Sequence, residues 1–250
     1  MNKKERSENR KALPKFFGII LSAMLVGGLV GFFSSYYGGM MTTDQMVEQI
    51  YGVIRAVTPW AMWILTLGFV AGELVLYQKA KKQFAGWDGE DEDLMDEVDR
   101  KLNWLLLLTT LQLLTAFLLH ALSQLVGTDR SFLVTILGFI AAIACCIVMQ
   151  QKAVDLTKAM NPEKKGSVYD MKFQEKWLES CDENERRQIG QAAYQSFKAT
   201  TGACIVLWVV LLLLGNVLDV GILPVLSVMV IWAVSHISFH IEAMKLSRHK

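Results

Sequence analysis

No lysine or arginine interrupts six long apolar blocks in this 250-residue chain, at 16–33, 59–76, 102–122, 132–149, 200–218 and 222–239. Glu73 is the one acidic residue inside them. A soluble domain would spread its apolar content in amphipathic stripes rather than gather it into charge-free runs. Other absences narrow the function. There is no Gly-rich phosphate loop, no His-Glu-x-x-His and no Gly-x-Ser-x-Gly, so a soluble-type active site and a bound cofactor are not expected. The acidic run 88–99 lacks the glycine that a twelve-residue calcium loop needs at its sixth position, where Asp93 stands. The ten-residue alternation of a membrane β-barrel is also missing. Only four cysteines occur, Cys145, Cys146, Cys181 and Cys204. None falls on the side expected to face outward, so no disulfide framework is expected and each reads first as a small buried apolar residue.

What is present is apolar length. The chain is 53% hydrophobic, and a bilayer core about 30 Å thick needs roughly 20 apolar residues per helical span. Helices satisfy their own backbone groups, which lipid demands. The predicted fold class is therefore all-α: a polytopic membrane protein of six transmembrane helices arranged as three helical hairpins, with helical cytoplasmic connections, in a single membrane domain 1–250. A basic lead such as 1–15 also precedes signal peptides, but the first apolar run is longer than a signal core and five more follow, so it reads as a retained span.

Charge orients the spans. Of the 25 Lys and Arg, only Arg55 and Arg130 fall between spans one and two, three and four, or five and six. All the others lie in the tails 1–15 and 240–250 or in the long connections 78–101 and 150–199. The positive-inside rule places those four segments, with both termini, in the cytoplasm. On the outer side, 34–58 is the longest connection. It carries Tyr36, Tyr37, Gly38 and Gly39 at the interface, and 43–57 is expected to form a separate short helix on the outer surface, with Thr42 and Gln45 at capping-box spacing.

The cytoplasmic connections are richer. Residues 78–101 begin basic and turn acidic, which reads as a solvated lead-in to a helix. Residues 150–199 are expected to be helical in pieces, broken near Asn161-Pro162 and again near Cys181-Asp182. Asp182 and Glu185 have capping-box spacing there. An internal repeat shows on comparing segments: Gln78-Lys79-Ala80 against Gln151-Lys152-Ala153, and Asp96-Glu97-Val98-Asp99-Arg100-Lys101 against Asp182-Glu183-Asn184-Glu185-Arg186-Arg187. Ser7-Glu8-Asn9-Arg10-Lys11 is a weaker third copy. Chance and a chain built from three hairpins remain equal readings of it.

With this layout, the stretch Trp177-Leu178-Glu179-Ser180-Cys181-Asp182-Glu183 resembles a family of membrane proteins of low-GC Gram-positive bacteria, described as a domain of unknown function with the number three-one-six-nine. The resemblance covers essentially the full chain. It implies a bacterial plasma-membrane location and carries over no catalytic residue.

Ionisable groups inside a span are candidate functional residues because they are costly, roughly 2.5–3.5 kcal/mol at the centre. Glu73, Cys146 beside Cys145, and His240 each lie five or six residues before the basic residue that ends their span, Lys79, Lys152 and Lys245. That is roughly 8–9 Å inside the boundary. His236 shares a helix face with His240. Two readings stand. In one, Glu73, His236, His240, Cys145 and Cys146 converge as an inner-leaflet site able to ligate zinc or relay protons, with Glu73 facing protein near His240. In the other, they reach the headgroups or bond between helices. Gly27 and Gly31 form a packing step in span one, with self-association as its second reading. His120 and the aromatic residues Trp60, Tyr77 and Trp104 fit the interfacial belts.

The functional expectation is a non-enzymatic membrane protein with a sensing, regulatory or partner-binding role, acting through its cytoplasmic segments on a protein partner. The alternative is a small permease or ion-coupled transporter using the inner-leaflet Glu/His site. Beyond the lipid bilayer and that partner, no direct nucleic-acid contact is expected.

Overall fold

The computed structural model describes residues 43–87, 91–126, 129–218 and 221–248. The first apolar block 16–33, with Gly27 and Gly31, the tail 1–15, Tyr36–Gly39 and the Thr42 cap lie outside the described residues. Within them the chain is all-α, with no strand. The helices are α1 (Thr43–Ala85), α2 (Glu92–Val126), α3 (Asp129–Met160), α4 (Phe173–Glu179), α5 (Glu183–Leu218) and α6 (Leu223–Arg248). Five of them contain segments long and apolar enough to cross a membrane: Glu48–Ala85, Asp93–Val126, Leu133–Met160, Glu183–Leu214 and Leu223–Ser247. By composition and length, these helices are those of an integral membrane protein.

The expected separate outer helix at 43–57 does not form. Instead α1 is one helix of 43 residues with Pro59 inside it, roughly 65 Å long. Proline removes one N–H and crowds the preceding turn, but two contacts hold the helix line through this point. The Thr58 hydroxyl donates to the Ile54 carbonyl at 2.6 Å. Arg55 Nη2 donates to the Val126 carbonyl at 3.3 Å. Val126 ends α2, so the guanidinium satisfies an orphan carbonyl where a cation is favoured.

The chain divides into two compact units. One is Val47–Arg187; the other holds the described residues from Gln188 onward. In the first, α1, α2 and α3 pack as a trio. α2 runs antiparallel to α3, as Ser123–Thr135 (3.3 Å) near one end and Gln150–Thr109 (3.4 Å) nearer the other show. α1 runs parallel to α3: Trp63 Nε1 donates to the Val134 carbonyl at 3.3 Å, and Lys152 sits 5.6 Å over the Tyr77 ring. Gly138 permits the close approach of α1, because a Cβ there would lie 2.6 Å from Met62 Cγ.

Two apolar clusters fill the trio. One gathers Ala80, Val98, Leu102, Leu105, Met149, Ala153, Leu156 and Met160; the other gathers Met62, Ala116 and Ala142. The buried positions of α1 (Thr58, Met62, Thr66, Glu73, Ala80) recur at steps of four and seven, the spacing that keeps one helix face inward. In the second unit α5 and α6 run antiparallel, with Phe197 against Phe239 (ring centroids 4.9 Å apart) and Cys204 and Val228 buried. Elsewhere their apolar side chains, such as Val206, Val230 and Ile231, point outward, as lipid-facing residues do.

Candidate functional site

On each helix of the trio, polar or soft residues lie between the two apolar clusters: Thr66 and Glu73 on α1, Thr109 and Gln112 on α2, and Cys146 on α3. All five are buried, Glu73 and Thr109 completely. Threonines inside helices return their hydroxyl protons to their own helix: Thr66 to the Met62 carbonyl (2.6 Å) and Thr109 to that of Leu106 (2.9 Å). The Cys146 thiol donates to the Thr109 carbonyl at 3.5 Å, Gln150 Nε2 to Thr109 Oγ1 at 3.4 Å, and Gln112 Nε2 to the Ala142 carbonyl at 3.4 Å.

Glu73 faces protein. Among the described residues, neither of its carboxylate oxygens has a hydrogen-bond partner, nor does Gln112 Oε1. Glu73 and Cys146 lie within electrostatic reach of each other, so the trio brings these two expected residues to one level. Cys145, the residue before Cys146 on α3, is half-buried. His236 and His240 sit on α6 in the other unit. There His236 Nε2 is 3.3 Å from Thr201 Oγ1 and packs on Phe197 and Trp232, beside a shallow apolar groove of about 330 Å³ with Met229 and Ala233. His240 is exposed, its ring edge against Phe239. His120, half-buried, stacks on Phe139 at 4.4 Å.

A second constellation is built on the connection 161–182, joined by Glu185 from the first turn of α5. α3 ends at Met160, just before Asn161-Pro162, and the chain turns back around the Lys164 side chain, which is 5% exposed. The Lys164 ammonium pairs with Glu185, lies 3.6 Å from Cys181 Sγ and 5.8 Å over the Trp177 ring. Burial pulls this ammonium down, but its hydrogen bond and charge pairing with Glu185, with Cys181 adding, outweigh burial and hold it above the ordinary lysine range.

The surrounding joints are local. Asp182 accepts from the Glu185 amide (2.7 Å) while Glu185 accepts from the Asp182 amide (3.0 Å), a reciprocal capping box that starts α5. Arg186 donates to the carbonyls of Leu178 (3.2 Å) and Glu179 (2.8 Å), closing the end of α4. Gln151 Oε1 accepts from Ser167 Oγ and the Val168 amide, at 3.0 and 2.8 Å. Gly166 adopts φ +112°, and any Cβ there would meet the Phe173 ring at 2.9 Å. The segment 177–183, distinctive in the sequence, is thus the wall of the Lys164 site.

Sequence reasoning missed Lys164, Thr109 and Gln112. Lys164 was one basic residue among many in a cytoplasmic segment; Asn161-Pro162 ahead of it and Trp177 beyond were the available signals. Gln112 was legible as the one amide in the interior of the block 102–122, Asn103 standing at its edge.

The family model described as "Protein of unknown function (DUF3169)" matches residues 14–242. The chain belongs to this family. The resemblance drawn from 177–183 and the whole-chain layout is therefore correct. No curated protein and no solved structure matches the chain.

Proposed function

We propose that this protein is a non-enzymatic regulatory component of a bacterial plasma membrane that acts on a protein partner through its cytoplasmic connections. One observation carries this reading. The connection 161–182 is folded around a buried lysine, yet leaves Tyr169, Met171 and Leu178 exposed outside every candidate span. Apolar side chains held outward on a structured polar surface suit a protein contact. The topology goes with it: six spans as three hairpins, both termini cytoplasmic, the block 16–33 supplying the sixth. In support, Lys79, Lys101 and Lys152 cluster at one end of the helix trio and Arg55 lies at the other. The antiparallel pairs α2/α3 and α5/α6 suit the repeat of hairpins.

A photoreactive amino acid at position 171, activated in native membranes, tests the partner reading. A discrete adduct with one other protein, lost in Lys164→Ala, is expected, and gentle-detergent purification recovers the same partner. Cross-links to lipid alone, or an adduct indifferent to Lys164→Ala, would remove the proposal.

A second reading, a small permease or ion-coupled transporter, is favoured by the fully buried Glu73. Substrate-dependent flux in proteoliposomes, abolished by Glu73→Gln, would select it.

A further inference from the structure

The polar layer of the helix trio has an imbalance between donors and acceptors. Each donor atom in it makes a hydrogen bond to protein: the Thr66 and Thr109 hydroxyls, the Cys146 thiol, and one N–H of each of the Gln112 and Gln150 amides. Three acceptors are buried and, among the described residues, unpartnered: both oxygens of Glu73 and Gln112 Oε1. The Ala142 carbonyl fixes which end of the Gln112 amide is free, since a carbonyl accepts only from the nitrogen. Buried polar atoms in native proteins find partners, and each exception asks for an explanation such as a bound ion.

Geometry brings the three oxygens toward one place. A Cβ at Gly72 would touch Leu108 at 3.4 Å, so Glu73 is level with this point of α2. Gln112 lies one turn further along, roughly 6 Å on. Helical side chains lean toward their own N-terminus. Because α1 and α2 run antiparallel, Glu73 leans toward the level of Gln112, and Gln112 leans back toward Glu73. The apolar clusters around Leu105 and Met149 on one side, and around Met62 and Ala142 on the other, close the layer at both ends.

We propose that this layer is a binding site for one dehydrated alkali-metal cation, held by the Glu73 carboxylate and the Gln112 side-chain oxygen. The Thr109 hydroxyl, which donates to Leu106 and accepts from Gln150, keeps one lone pair that can add to the oxygen shell. One carboxylate balances one positive charge, which favours a monovalent over a divalent ion. Hard oxygen donors select alkali ions over the soft metals that thiolate and imidazole take, and among the described residues no three His, Cys, Asp or Glu side chains group to hold a metal. The site belongs to α1, α2 and α3 alone. It needs neither histidine of α6 and does not rest on the cytoplasmic partner reading.

Thermal unfolding of the full-length protein in detergent tests it, with sodium, potassium or choline chloride titrated at constant ionic strength. One alkali ion is expected to raise the melting temperature saturably while choline does not. Glu73→Gln, nearly the same size, abolishes that rise, and Gln112→Leu weakens the apparent affinity roughly tenfold or more, as loss of one contact to a charge does. Retention of radioactive sodium or rubidium by the wild-type protein on gel filtration reads the same site without any variant. Three results would each overturn the assignment: identical melting in all three salts with no tracer retained, a saturable response that survives Glu73→Gln, or a response to pH in choline with none to either alkali ion. The last would mean that a proton alone occupies the carboxylate.

Discussion

Lys164 shows how much one side chain decides outside the spans. Removing a partner from a buried ion pair leaves the other charge stranded, which costs 3–5 kcal/mol when both are fully buried. Glu185 is 37% exposed, so Lys164→Ala is expected to cost less, about 1–3 kcal/mol. The check is limited proteolysis at 161–172 alongside thermal unfolding. Adding Glu185→Gln to Lys164→Met should recover part of the loss, because glutamine still serves the capping box but carries no stranded charge. The pH dependence follows from the raised lysine. Its contribution is fully present below the unfolded value of about 10.4 and is lost as pH rises through the higher folded value. Protease resistance of the connection should therefore hold from neutral pH to about pH 10 and fall above it; a fall beginning near neutrality would contradict the pairing. In the sequence Lys164 had no visible partner, because Glu185, 21 residues away, is brought to it by a chain reversal.

Elements differ in how local their causes are. The start of α5 was legible, because Asp182 and Glu185 are three residues apart and a capping box is a short-range pattern. The unbroken α1 was not legible. Pro59 and the polar stretch before it argue for a break, and the contact that holds the helix line, Arg55 with Val126, joins positions 71 residues apart. Gly138 makes the seating of α1 on α3 testable. Gly138→Ala should lower stability by about 1–3 kcal/mol, the usual range for overpacking, read as a drop in melting temperature in detergent. Met62→Ala in the same chain should return part of that drop, because the added methyl meets Met62 Cγ. If the two changes are simply additive, the clash lies elsewhere.

At the scale of the whole molecule, the proposed orientation predicts opposite chemistry on the two sides. In a background free of other cysteines, Ile50→Cys should react with a membrane-impermeant maleimide in intact cells. Met171→Cys should react only after permeabilisation. Both parent side chains are exposed, so accessibility to the reagent is decided by the membrane alone. The reverse pattern would invert the topology, and reaction of both in intact cells would break the span assignment between them.

That the chain is helical, membrane-embedded and asymmetric in charge is legible in one dimension, because apolar length and the placement of lysine and arginine are quantities that lipid and water read directly. The sequence marked Glu73 as costly for the same reason. Which groups meet Glu73 was a tertiary matter. The register of α1, α2 and α3 places Thr109, Gln112 and Cys146 between two apolar clusters and buries three acceptor oxygens that have no donor among the described residues. Register depends on how side chains from distant positions fill one another's gaps, as Gly138 and Met62 do, and that complementarity exists only once the helices pack.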